Sequence, residues 1–265
     1  MLFRSILNLN GGTLECRAAS ANFLSGLTEV NLLVGGTTID TLTNSVTITE
    51  SILRSPSLSP DTRDGGLTKR GGGSLTFSGA NLQFNGPLRV LDGSLRISPA
   101  MLSDLEEITL APGKTLSFRG SYRQVLTPQF LTLGDATTAS RLDLDVASDG
   151  SDCDTLHIPA GGFVGKLNLH LKQRGATDVD FALPGSYPIF TYATEPPNLA
   201  LLTHANRTFG IVSSFSTDRT TKTVYLTLAA STAETAWASA TGGDWENAAN
   251  WTPAAPAGTD RKSVV

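Results

Sequence analysis

The sequence predicts an all-β protein, a right-handed parallel β-helix (β-solenoid). Three observations carry this expectation. A glycine-rich turn followed by a small residue and an apolar-x-apolar triplet recurs along the chain, as in Ser74-Leu75-Thr76-Phe77 and Ser94-Leu95-Arg96-Ile97. Inside each phrase apolar and polar residues alternate with period two, so successive side chains point to opposite faces of a strand. The composition, with 26 glycines and much Thr and Ser, supplies strand and turn residues but few strong helix formers.

Followed in order, the phrase is anchored on Leu14, Ile39, Leu75, Leu95, Leu116, Leu142 and Leu167, with gaps of 25, 36, 20, 21, 26 and 25 residues. A gap of about 20 to 26 fits one rung of a solenoid carrying two or three short strands. The gap of 36 holds Val46-Thr47-Ile48, itself a strand, and then Pro56, Pro60 and Gly65-Gly66, which predict an added strand and an inserted loop. A rung this short cannot bury its own apolar side, so each rung depends on the next.

On this pattern residues 1–137 form β-helix rungs, and 138–232 either continue the β-helix or close it with a β-rich, β-sandwich-like cap. Pro196-Pro197 opens a loop, with one helical turn expected over Leu199 to Ala205. Residues 233–259 read as the start of a further, truncated module. Its Trp237, Trp245 and Trp251 form a small core or, alternatively, stack on sugar rings. The last six residues, Asp260 to Val265, match the translation of a common sequencing adapter. On this reading they are expected to be read-through of library chemistry, with the chain an internal fragment of a longer gene.

With 265 residues and 40% apolar content, the chain can bury a sizeable core. A net charge of -4 without any basic block argues against nucleic acid, whose phosphates call for clustered Lys and Arg. Two distant cysteines, Cys16 and Cys153, make no disulfide framework and no metal pair, and are expected as unpaired thiols. No apolar run reaches a membrane span, and the opening residues lack a secretion signal. Any export address or membrane contact would therefore lie in a segment outside this sequence.

The densest polar stretch, "LDLDVASDGSDCDTLHI", carries Asp143, Asp145, Asp149, Asp152 and Asp154. Oxygen ligands around a glycine turn suit Ca²⁺, and Asp149, Asp152 and Asp154 are the candidate ligands. The competing reading is a solvated turn, with Asp143 and Asp145 on the outer face of a strand. Otherwise no cofactor is expected. His157, His170 and His204 have no metal-site spacing, and the first two alternate away from the leucines as surface histidines. No nucleophile elbow or triad is present. Catalysis is therefore not expected, although a lyase would need a base beside carboxylates on one outer face. Lys69, Arg89, Arg96 and Arg119, the bases available, are spread over several rungs.

The segment "LTKRGGGSLTFSGANLQFNGPLRVLDGSLRI" (67–97) resembles the autotransporter-associated β-strand repeat. The matching positions are Leu67, Lys69, Gly71, Gly73, Leu75, Phe77, Gly79 and Asn81, with Gly93 and Leu95 closing the unit. The preceding "NGGTLECRAASANFLSGLTEVNLLVGGTTIDTLTNSVTITESIL" resembles the segment that commonly comes just before it, and together the two fall within residues 8 to 97. Departures stand at Arg70, at Leu82 to Phe84 and at Pro87. The resemblance implies a passenger-type β-helix of a bacterial protein, extracellular or on the outer-membrane surface, with a structural or adhesin-like role. Its partners would be surface glycans or neighbouring cells. The alternative is a carbohydrate-binding or lyase-like β-helix.

Overall fold

Short alternating segments pair side by side, in register and in parallel, throughout most of the chain. The computed structural model describes residues 4–78, 82–97, 105–120, 123, 125–176, 178–208, 210–231, 236–237 and 251–252. Its strands come in successive groups. The first holds β1 (Ile6–Leu9) and β2 (Thr13–Glu15), and the second holds β3 (Glu29–Leu32), β4 (Thr37–Asp40) and β5 (Ser45–Ile48). Next come β6 (Ile52–Arg54), β7 (Leu67–Arg70) and β8 (Ser74–Phe77), and then β9 (Leu82–Gln83), β10 (Leu88–Val90) and β11 (Ser94–Ile97). The fifth group is β12 (Glu107–Leu110), β13 (Thr115–Phe118) and β14 (Val125–Leu126), and the sixth is β15 (Phe130–Leu133), β16 (Ser140–Val146) and β17 (Thr155–Ile158). The seventh is β18 (Phe163–Val164), β19 (Leu167–Gln173) and β20 (Gly185–Tyr192). A 3₁₀ turn (Leu199–Leu201), β21 (Leu202–His204), and the pair β22 (Ile211–Asp218) and β23 (Thr223–Ala230) follow. Last come β24 (Ala236–Trp237) and β25 (Trp251–Thr252), which pair antiparallel with Trp237 opposite Trp251.

Each group adds one strand to each of several sheets. The first wall runs β2-β4-β7-β10-β12-β15-β18, and the second runs β5-β8-β11-β13-β16-β19-β21. In the chain order β6, β9, β14 and β17 each fall between a strand of the second wall and the next strand of the first. With β1, β3, β20, β22 and β23 they make two further, separate sheets, β1-β3-β6-β9 early and β14-β17-β20-β23-β22 late, together termed the third wall. All pairings in the first and second walls are parallel, and antiparallel pairing enters the third wall only at β20, β23 and β22. The protein is therefore all-β and built of parallel sheets. The long sheets run across residue 137 without a break, since β13 pairs β16 and β15 pairs β18.

The inward residues stack into columns. Val46, Leu75, Leu95, Leu116, Leu142 and Leu169 succeed one another along the second wall and are all buried. Along the first wall Ile39 stands over Lys69, then Val90, Leu110, Leu133 and Val164. Burying a full aliphatic side chain contributes about 1.5–3 kcal/mol, so these columns dominate the packing.

The anchor series read from the sequence belongs to two walls. Leu14 and Ile39 pair on the first, whereas Leu75 to Leu142 pair on the second. The true partners are Lys69 for Ile39 and Val46 for Leu75. The gap of 36 thus combines a change of wall with the inserted loop. Leu167 lies two residues before Leu169, the partner of Leu142.

Close corners hold the early groups together. At Gly66 (φ +67°) an added Cβ would stand 1.9 Å from the Pro87 carbonyl oxygen, so only glycine admits the approach. The adjoining Asp64, buried in the inserted loop, accepts the Gly66 N–H (2.9 Å) and Gly86 N–H (3.1 Å) on Oδ1 and the Asn85 N–H (2.9 Å) on Oδ2. One carboxylate thereby ties the third group to the fourth.

Candidate functional site

On the second wall the outward residues also form columns. One runs Ser45, Ser74, Ser94, Thr115, Arg141, Asn168 and the next runs Thr47, Thr76, Arg96, Ser117, Asp143, His170. Hydroxyls of the early strands therefore give way to charge, first at Arg96 on β11 and then in both columns at β16. A groove of about 380 Å³ lies on this surface, its floor made by these two columns and its edge by Asp178.

The charged end is built in pairs. Arg141 donates from Nε to Asp143 Oδ1 (2.6 Å) and from Nη2 to Oδ2 (3.1 Å), and Ser117 Oγ donates to Oδ2 (2.9 Å). Arg119, whose side chain is 4% exposed, places Nε 2.8 Å from Asp145 Oδ1. That contact is one of charge without hydrogen-bond alignment. Asp145 Oδ2 accepts the Gly120 N–H (2.8 Å). Burial outweighs its neighbours and pushes the Asp145 carboxyl up to about 6.

A segment after β19 doubles back over this end, held by Gln173 N–H to Val179 O (2.8 Å), Phe181 N–H to Leu171 O (3.0 Å) and Lys172 Nζ to Asp180 Oδ1 (2.6 Å). Arg119 Nη2 donates to its Ala176 carbonyl (2.5 Å). The segment carries Asp178, in the left-handed region at φ 51° and exposed, with Oδ1 3.8 Å from Arg119 Nη1 and 3.9 Å from Arg96 Nη1. This cover corrects the expectation that Asp143 and Asp145 are solvated. They do point away from the leucines, yet both are buried.

The candidate Ca²⁺ ligands face different ways. Asp152 and Asp154 both meet Arg174, the latter at 3.0 Å, while Asp149, on an exposed turn, accepts the Ser151 N–H (3.0 Å). Among the described residues no three His, Cys, Asp or Glu side chains are grouped to hold a metal. Cys16 and Cys153 are free and buried. His157 bonds Thr191 through Nδ1 (2.9 Å), and His170 stands half-buried on the outer second wall. His204 differs, closing the inward column after Leu169, where burial favours its neutral form. Trp245 lies outside the described residues, as do Asp260 to Val265.

Of the four dispersed bases, the structure gathers Arg96 and Arg119. Arg89 is on the first wall, where Nη2 meets Glu107 Oε2 (2.6 Å). Lys69 points inward, fully buried, and donates to the carbonyls of Arg70 (2.7 Å), Gly71 (2.6 Å) and Asp92 (3.2 Å). Burial lowers its pKa to about 8. Arg141, Ser117 and Asp178 are groove residues that sequence reasoning passed over. Alternation in "SRLDLDV" puts Arg141 beside Asp143, but their meeting with Arg96 depends on register. No family model, curated protein or solved structure matches this chain. Among the described residues no helix is long and apolar enough to cross a membrane.

Proposed function

We propose that the parallel walls are those of a right-handed β-helix serving as a non-catalytic, adhesin-like passenger stalk of an exported bacterial surface protein. The carrying observation is the pair of seven-stranded walls with stacked inward columns. At about 4.8 Å per strand, six steps reach about 29 Å along the stack. A right-handed winding follows the strong preference of parallel crossover connections. The repeat-like segment 67–97 supports the passenger assignment, with surface glycans or neighbouring cells as the partners it would contact outside the cell. Lys69, the repeat's lysine, is committed to backbone carbonyls in the interior, which supports a structural role for the motif.

The test is display of the chain on a non-adherent bacterium. Adhesion to glycan-coated beads is to be measured alongside product release from a panel of polysaccharides. Adhesion without cleavage is expected. Release of new chain ends, abolished by substitution of groove residues, would replace this reading with the lyase-like alternative.

A further inference from the structure

The outer groove of the second wall contains a mismatch. Arg141 and Asp143 are closed on each other, and Arg119 stands on Asp145. The neighbouring cation Lys172 is likewise joined to Asp180, and Arg174 to Asp152 and Asp154. Arg96 has Asp178 as its nearest carboxylate, at 3.9 Å, too far for a hydrogen bond, and faces Asp145 at longer range. Arg119 Nη1, deeply buried, has no hydrogen-bond partner and faces the same Asp178 oxygen at 3.8 Å. One carboxylate thus hovers between two guanidiniums and bonds neither, although guanidinium–carboxylate pairs normally close to about 2.7–2.9 Å. Its side chain is 68% exposed and can swing away into water.

We propose that the groove binds an acidic glycan, seating one of its carboxylates between Arg96 and Arg119 in place of Asp178. A sugar carboxylate lies on a separate molecule and is not held by the backbone at residue 178, so it can close on Arg96 to bonding distance and reach the buried Arg119 Nη1 behind it once Asp178 swings out. With Asp178 displaced, Arg96 and Arg119 share the Asp145 carboxylate, and the ligand's carboxylate balances the positive charge left over. Ser74, Ser94 and Thr115 in one column present hydroxyls to the groove at successive strand steps, and Thr76 adds one beside Arg96 in the other. A ligand bearing hydroxyls along its length can both donate to and accept from such a lining at each step, whereas the carboxylates of an acidic peptide can only accept. The inference goes beyond the stalk reading, because it needs only this surface.

The experiment is isothermal titration of the whole chain at low salt with three probes: a galacturonate hexamer, its fully methyl-esterified counterpart and a hexaglutamate peptide. The acid is expected to bind, the ester at least about tenfold more weakly, matching loss of one charge-assisted hydrogen bond. D178N is expected to tighten the acid several-fold by removing the competing carboxylate, and R96Q to weaken it about tenfold. Both side chains lie outside the apolar columns, so neither substitution threatens folding. Equal binding of acid and ester, or a D178N variant that binds no better, would overturn the displacement. Equal or tighter binding of hexaglutamate would overturn the glycan assignment.

Discussion

The early and late halves of the molecule share the same long walls but are clamped differently. Around β7 to β11 the chain is held by backbone approaching backbone, with Gly66 against Pro87 and the Asp64 carboxylate on three N–H groups. From β13 onward the outer surface is held by buried charge, with Arg119 on Asp145 and Arg174 on Asp152 and Asp154. The stacking of apolar columns therefore does not dictate how neighbouring turns of chain are fastened. A close backbone approach such as Gly66 on Pro87 tolerates acid and salt, whereas an ion pair responds to both.

The harshest way to break the late half is Arg119→Met. It strands the Asp145 carboxylate away from water, and urea unfolding near neutral pH should show a loss of about 3–5 kcal/mol. For the early half the counterpart is Gly66→Ala. Its methyl meets the Pro87 carbonyl and the backbone sits at φ +67°, so about 3 kcal/mol should be lost at every pH between 5 and 9. Equal pH dependence of the two losses would erase the distinction between the halves.

The two buried ionisable groups sharpen the comparison, because their slopes with pH are opposite. Asp145 binds its proton near pH 6 when folded and near 3.8 when not, so its stabilising share is full below 3.8 and gone above 6. Lys69 releases its proton near pH 8 when folded and near 10.5 when not, so stability rises across that window. Amide exchange followed by mass spectrometry, corrected for intrinsic rates, should show late-half protection falling between about pH 4 and 6. Early-half protection should rise between about pH 8 and 10.5, and Lys69→Met should abolish that rise. The smallest effect is expected at the half-exposed Arg89–Glu107 pair, where Glu107→Gln should cost under about 1 kcal/mol and less in high salt.

Much of this architecture was legible in the residues. Alternation placed the inward leucines of β8, β11, β13 and β16 correctly, and His157 and His170 outward. The same rule, pursued from Leu67 and Leu202, turns Lys69 and His204 inward, against the habit of assigning polar side chains to the surface. What alternation lacks is register. Whether Ile39 stands beside Leu75 or Lys69 depends on hydrogen bonds between strands some 30 residues apart in sequence, so the anchor ladder mixed two walls. The groove was hidden for the same reason. Arg96, Arg119, Arg141 and Asp178 become neighbours only through lateral pairing and a segment folded back over β16.

The division of the third wall has a mechanical consequence. Load applied along the stack pulls on the strand-to-strand hydrogen bonds in series, so the stack yields first where fewest ladders cross. Three ladders link the third group to the fourth, and three link the fifth to the sixth. Between the fourth and fifth, among the described residues, only β10–β12 and β11–β13 carry the tension. Two ladders likewise link the first group to the second, so a molecule stretched between its ends in an optical trap should part first at one of these two junctions.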